Sequence, residues 1–116
     1  MKRFFLKSKI HMAVITEANP DYKGSITIDK ELMDLAGLLP FEQVTISNAS
    51  NGERFETYVI EGEKGSRNVC LNGPAARKGM KGDKIIIFAY CILSENEIDG
   101  FEPKIIYVDD WNNPIS

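Results

Sequence analysis

Short runs of β-branched and aromatic residues, each soon closed by turn chemistry, constrain this chain more than any other feature. Phe4–Thr16, Ser25–Ile28, Gln43–Asn48, Arg54–Glu61, Asn68–Leu71, Lys84–Leu93 and Lys104–Val108 read as strands, because such side chains pack well on a pleated surface. Asn51-Gly52, between two of these runs, predicts a type I′ hairpin, since both residues tolerate positive φ. In the strand that follows, Glu56, Tyr58 and Ile60 share one face while Phe55, Thr57 and Val59 share the other. A single helix is expected where Asp29 can cap, Leu32, Leu35 and Ala36 form an apolar stripe, and Gly37 can close the last turn in the left-handed conformation. Pro40 then blocks its extension. Strands at this spacing with one or two short helical turns predict a mainly β chain, a small β-barrel. The 116 residues suffice for one core and not for two, so a single domain over 1–116 is expected. The tail after Asp109 is expected to be loosely held.

Composition narrows the partners. A hydrophobic fraction of 43% with 27% charged residues is that of a globular protein rather than a disordered one. Fourteen basic residues are scattered against seventeen acidic ones, for a net charge of −3, which argues against nucleic acid. The longest apolar run, Ile85–Leu93, is far short of the roughly 20 residues that span a bilayer. Met1–Leu6 opens like a secretory signal, but Lys7 and Lys9 break the apolar stretch, so it reads as a first strand. Cys70 and Cys91 lack metal-ligand spacing and read as reduced core thiols of a cytoplasmic protein.

The common catalytic kits are missing. His11 is the only histidine, which excludes a two-histidine metal site, and neither a glycine-rich phosphate loop nor a paired-cysteine motif is present. No metal is expected. A Ser-His-Asp triad could be built only around His11, and no Gly-x-Ser-x-Gly elbow marks a nucleophile. Gly24-Ser25 opens a strand directly after the loop Asn19–Lys23, yet Gly65-Ser66 repeats the dipeptide inside an ordinary charged turn. The dipeptide alone therefore identifies nothing.

Its context does. Lys9 and His11, then Tyr22-Lys23-Gly24-Ser25-Ile26-Thr27-Ile28-Asp29, then Asn51-Gly52-Glu53-Arg54-Phe55-Glu56-Thr57-Tyr58, then Asn72-Gly73-Pro74-Ala75-Ala76-Arg77 follow in an order and spacing that resembles the bacterial aspartate 1-decarboxylases, from about Phe4 to Val108. The resemblance implies a double-psi β-barrel with one or two short helices, assembled as a homotetramer with active sites between adjacent subunits. It implies a lyase that converts L-aspartate to β-alanine and carbon dioxide, feeding pantothenate biosynthesis. The implied cofactor is a covalently bound pyruvoyl group made from Ser25 by autocatalytic cleavage, which divides the precursor into residues 1–24 (β chain) and 25–116 (α chain).

Decarboxylation leaves a carbanion at Cα, so the amine must be joined to an electron sink, and a ketone carried by the chain supplies one through a Schiff base. By resemblance Ser25 attacks the carbonyl of Gly24, Thr57 supports the oxyanion that forms, and Tyr58 later returns a proton to Cα. A glycine at position 24 is expected because it can occupy backbone conformations closed to other residues. Lys9, Arg54, Thr57, Asn72, Gly73, Pro74 and Ala75 are the implied substrate-binding residues, with His11 and Tyr22 in support. Arg54 offers a planar fork suited to a carboxylate. A strong pair with the departing α-carboxylate would favour the ground state, so Arg54 is assigned to the retained β-carboxylate. Pro74 departs from the alanine common in the family and removes one backbone donor. The alternative is a non-catalytic double-psi β-barrel binding module, which has no need for Gly24-Ser25, Arg54 and Tyr58 together. A decarboxylase for a cationic amino acid fits less well, since Arg54 and Lys9 would repel its substrate.

Overall fold

The computed structural model describes residues 1–115. Nine strands, β1 (Lys2–Val14), β2 (Glu17–Asn19), β3 (Ser25–Asp29), β4 (Gln43–Asn48), β5 (Arg54–Gly62), β6 (Val69–Asn72), β7 (Lys84–Ser94), β8 (Lys104–Val108) and β9 (Pro114–Ile115), join in the order β2-β6-β3-β5-β4-β7-β1-β8-β9. β1 and β3 are placed alike. Each has an antiparallel partner on one side, β7 and β6 respectively, and a parallel partner on the other, β8 and β5. β2 follows β1 directly in the chain yet pairs in parallel with β6 at the opposite end of the order. The Thr16 amide also donates to the Val69 carbonyl at 2.8 Å, so the sheet rolls up on itself. The chain is thus the mainly β, double-psi barrel expected.

Alternate positions of the strands fill its interior. Ile10, Ile26, Ile28, Ile46, Val59, Leu71, Ile85 and Ile87 are all at most 1% exposed, which is the period-2 signature of strands with one dry face. Helix α1 (Lys30–Ala36) plugs one end with Leu32, Met33 and Ala36. Its caps are those the sequence predicts: Asp29 accepts from the Glu31 amide, and Gly37 closes the helix at φ 70°. A second helix, α2 (Glu95–Ile98), is held by a capping box of Ser94 and Glu97 that is legible in the sequence but was not among the expectations. Among the described residues no helix is long and apolar enough to cross a membrane.

Three expectations need correction. β4 and β5 form the expected hairpin, but Asn51-Gly52 is not its type I′ turn, because Gly52 has φ 79° while Asn51 has no positive φ. Buried Asn48 organises a wider loop instead: its Oδ1 accepts from the amides of Ser50 (2.8 Å) and Asn51 (3.3 Å), and its Nδ2 donates to Asp83 (2.9 Å). The tail is not loose. Asn112, 1% exposed, donates to the carbonyls of Val14 (2.9 Å) and Arg67 (3.0 Å) and accepts from the Val14 amide (2.7 Å). The cysteines are free but only half-buried, not core residues. Cys70 lies opposite Thr27 in the β3–β6 ladder, and burial pushes its thiol up.

Candidate active site

β3 begins at Ser25 and pairs with β5 only from Val59 to Gly62, while β5 itself starts five residues earlier at Arg54. Beside the start of β5, which pairs with β4 but not with β3, the sheet opens into a cleft of about 370 Å³, bordered by Gly24, Phe55, Glu56, Thr57, Tyr58, Pro74, Ala75 and Lys78. Strand mismatch therefore places the Gly24–Ser25 junction, Thr57 and Tyr58 at one opening. Ser25, next to Gly24 in the chain, is wholly buried. Its hydroxyl donates to the Lys23 carbonyl at 3.1 Å and accepts from Asn72 Nδ2 at 3.0 Å, and the second proton of that amide goes to Thr27 Oγ1 at 2.9 Å. Both polar directions of a buried hydroxyl are thus satisfied, which fixes its rotamer.

The glycine expectation is met at a different residue. Gly24 does not lie in the left-handed region, so backbone strain does not explain its identity. Gly73 does, at φ 64°. A methyl group on Gly73 would fall 2.7 Å from the Gly24 nitrogen, 2.7 Å from the Tyr22 carbonyl oxygen and 2.8 Å from Gly24 Cα. A methyl on Gly24 would meet Pro74 Cδ at 3.3 Å. Gly73 and Pro74 open a 3₁₀ turn, Gly73–Arg77, that is packed against the loop leading to Ser25. This turn had no counterpart among the sequence expectations, although a proline that can start a helical turn is its readable signal.

The remaining candidates stand elsewhere. Arg54 lies on the outer face of the sheet, where Nη1 donates to Ser47 Oγ at 2.6 Å and the guanidinium rests 5.2 Å above the Phe88 ring. Lys9 is the ladder partner of Phe88 and so lies on that same face. His11 pairs with Tyr107 of β8, with its ring edge-on to that residue at 5.6 Å and its buried Nδ1 without a hydrogen-bond partner among the described residues. Tyr22 is exposed at the mouth of the loop. One chain therefore brings together Gly24, Ser25, Thr57, Tyr58, Asn72, Gly73, Pro74 and Ala75, and leaves Lys9, His11 and Arg54 apart from them. Phe41 was missed: it stacks on Tyr58 with ring centroids 6.2 Å apart. Its own φ of 71° gives no local sequence cue.

The outer face that carries Arg54 exposes several large apolar side chains among polar ones. Phe4 is 79% exposed and Ile92 57%, and with Tyr90 they border a second hollow of about 580 Å³.

A family model described as aspartate decarboxylase matches residues 1–115. An aspartate 1-decarboxylase of Thermoanaerobacter pseudethanolicus is 53% identical over 116 residues, covering 100% of this chain and 99% of that one. One of Caldicellulosiruptor saccharolyticus is 61% identical over 107 residues, covering 92% of this chain and 84% of the relative. Another, of Leptospira biflexa, is 54% identical over 109 residues, covering 93% and 92% respectively.

Proposed function

Because the chain belongs to the aspartate decarboxylase family, we propose that it converts L-aspartate to β-alanine and carbon dioxide after cutting itself between Gly24 and Ser25. The observation that carries this reading is the wholly buried Ser25 hydroxyl, fixed between Asn72 and the Lys23 carbonyl where Gly24, Thr57 and Tyr58 border one cleft.

In the proposed maturation, Ser25 Oγ bonds to the Gly24 carbonyl carbon and the bond to the Ser25 nitrogen breaks, leaving an ester and a free amine. Thr57 supports the oxyanion that develops on the way. Loss of a proton from Cα of residue 25 with cleavage of its Cβ–O bond releases the carboxylate of Gly24 and leaves dehydroalanine. Water then displaces ammonia and a pyruvoyl ketone remains. A pyruvoyl group is residue 25 itself with a ketone oxygen in place of its amine and its hydroxyl lost, so the wholly buried position of Ser25 could hold it. The hydroxyl oxygen that Asn72 holds would leave with the Gly24 carboxylate. When bound there, a pyruvoyl group supplies a ketone that joins the substrate amine and draws off the electrons released with carbon dioxide.

The other steps fall to side chains. Arg54 holds the retained β-carboxylate and Lys9 adds positive charge, which selects an acidic substrate. Tyr58, stacked on Phe41, returns the proton to Cα. Pro74 offers no amide proton, so the neighbouring backbone donors are those of Gly73 and Ala75. Arg54 and Lys9 serve a cleft they do not border in their own chain, and this supports a site completed by a second copy in a homotetramer. The exposed apolar side chains beside Arg54 suit that contact. The product would feed pantothenate synthesis.

Intact-mass measurement tests the reading directly. We expect two fragments, residues 1–24 and 25–116, the second with a blocked terminus. Ser25→Ala should remain uncut and inactive, and a Ser25→Ala protein that still makes β-alanine would overturn the mechanism.

A further inference from the structure

Three consecutive residues grip the peptide from both sides. Asn72 holds the Ser25 hydroxyl at 3.0 Å. Gly73 lays bare backbone against the Gly24 nitrogen and the Tyr22 carbonyl, so closely that any side chain at 73 would strike main-chain atoms at 2.7 Å. Pro74 sets its ring over Gly24, where an added methyl would meet Cδ at 3.3 Å. The grip is also stiff. Gly73 takes a φ of 64° that other residues adopt only under strain, and the proline ring fixes the next φ at the start of the 3₁₀ turn.

We propose that the Asn72-Gly73-Pro74 turn is a positioning element for self-cleavage, with Gly73 and Pro74 as positioning residues that hold the Tyr22–Gly24 loop against the Ser25 hydroxyl. This rests on the reading that the chain cuts itself at that junction. An intramolecular attack gains rate chiefly from having its reacting atoms already placed, and an exposed loop left to itself would sample many placements. Tyr22 and Lys23 are exposed, and within the loop they are held only by the Ser25 hydroxyl on the Lys23 carbonyl (3.1 Å) and a long bond from the Tyr22 amide to the Asn19 carbonyl (3.4 Å). The turn supplies a clamp from the side. With no left-handed backbone at Gly24, the obstacle that a side chain would meet there in this chain is the Pro74 ring.

The test follows the full chain through cell-free synthesis, with intact mass read over time for wild type, Gly24→Ala, Pro74→Ala and the double variant. Gly24→Ala should cut roughly tenfold more slowly than wild type, because its methyl is pressed on the proline ring. Adding Pro74→Ala should restore the rate by roughly threefold or more over Gly24→Ala, a rescue that general destabilisation would not give. Gly73→Ala should stay uncut while keeping the wild-type circular dichroism spectrum, and should it misfold, the Gly24 and Pro74 comparison decides alone. Gly24→Ala that cuts as fast as wild type, a double variant no faster than Gly24→Ala, or a folded Gly73→Ala that cuts normally would each overturn the proposal. A wild-type chain that never cuts would instead defeat the reading beneath it.

Discussion

Thr57 and Tyr58 are consecutive residues of β5, so the strand period turns their side chains to opposite faces, yet both border the cleft at Gly24. Their proposed tasks belong to different stages, and single variants should separate them. Thr57→Val should accumulate uncut precursor, losing about 2.7–4 kcal/mol of support for the oxyanion. Tyr58→Phe should cut normally and yield a borohydride-trapped aspartate adduct, but turn over more slowly by roughly 10² to 10⁴. Mass spectrometry with and without aspartate reads both; undiminished turnover in Tyr58→Phe would remove the phenol from the mechanism. At this scale the sequence was a good guide to which residue types gather and a poor one to why. The backbone freedom expected of Gly24 belongs to Gly73, 49 positions away in the chain and set against it only by the pairing of Ser25 with Asn72. Phe41 was illegible for the same reason, since its contact with Tyr58 depends on the path of the chain between α1 and β4.

Among the elements, the start of α1 is tied to distant parts of the fold through one carboxylate. Asp29 is wholly buried, caps the helix at the Glu31 amide (2.8 Å), accepts from the amides of Gly65 (2.9 Å) and Arg67 (2.7 Å), and pairs with the Arg67 guanidinium at 3.1 Å. Burial pushes this carboxyl up, but the Gly65, Arg67 and Glu31 amides and the Arg67 side chain together outweigh it and hold the group below the usual carboxylate range. A lowered folded-state value contributes stability above the unfolded value, about 3.9, and loses it as pH falls through the folded one. Thermal melts should therefore show wild type losing stability below about pH 4, while Asp29→Asn starts lower and falls less over that range. An Asp29→Asn protein with the wild-type melting curve at neutral pH would show that the carboxylate is dispensable. Elements set by local chemistry were readable: Gln43–Asn48 and Lys104–Val108 match their strands, and both caps of α1 match. The tail was misread because Asn112 finds Val14 and Arg67, 98 and 45 positions away, and nothing local announces either.

For the whole molecule, the separation of Arg54 from the Ser25 cleft makes a mixing experiment decisive. Ser25→Ala and Arg54→Ala subunits should each be inactive or nearly so. Combined by co-expression, they should recover activity, because an Arg54→Ala subunit still offers a working Ser25 and a Ser25→Ala subunit still offers Arg54. Light scattering should find a tetramer in each case. No recovery in verified mixed oligomers would place both groups in the same subunit's site and contradict the shared arrangement.

β1 lies between β7 and β8, with Ser8 to His11 bonded to a strand on the β8 side and most of that stretch also to β7. Under the proposed maturation this strand belongs to the piece that ends at Gly24, so the smaller fragment is threaded through the middle of the larger one's sheet. The precursor can fold as a unimolecular process, but the cut protein, once fully denatured, would have to find a second polypeptide before its sheet could close. Its recovery should then depend on protein concentration, and a matured molecule that loses β1 has no internal route back. Folding order is built into the chemistry: the barrel must form first, and the cut that follows converts an equilibrium fold into one kept by its barrier to unfolding.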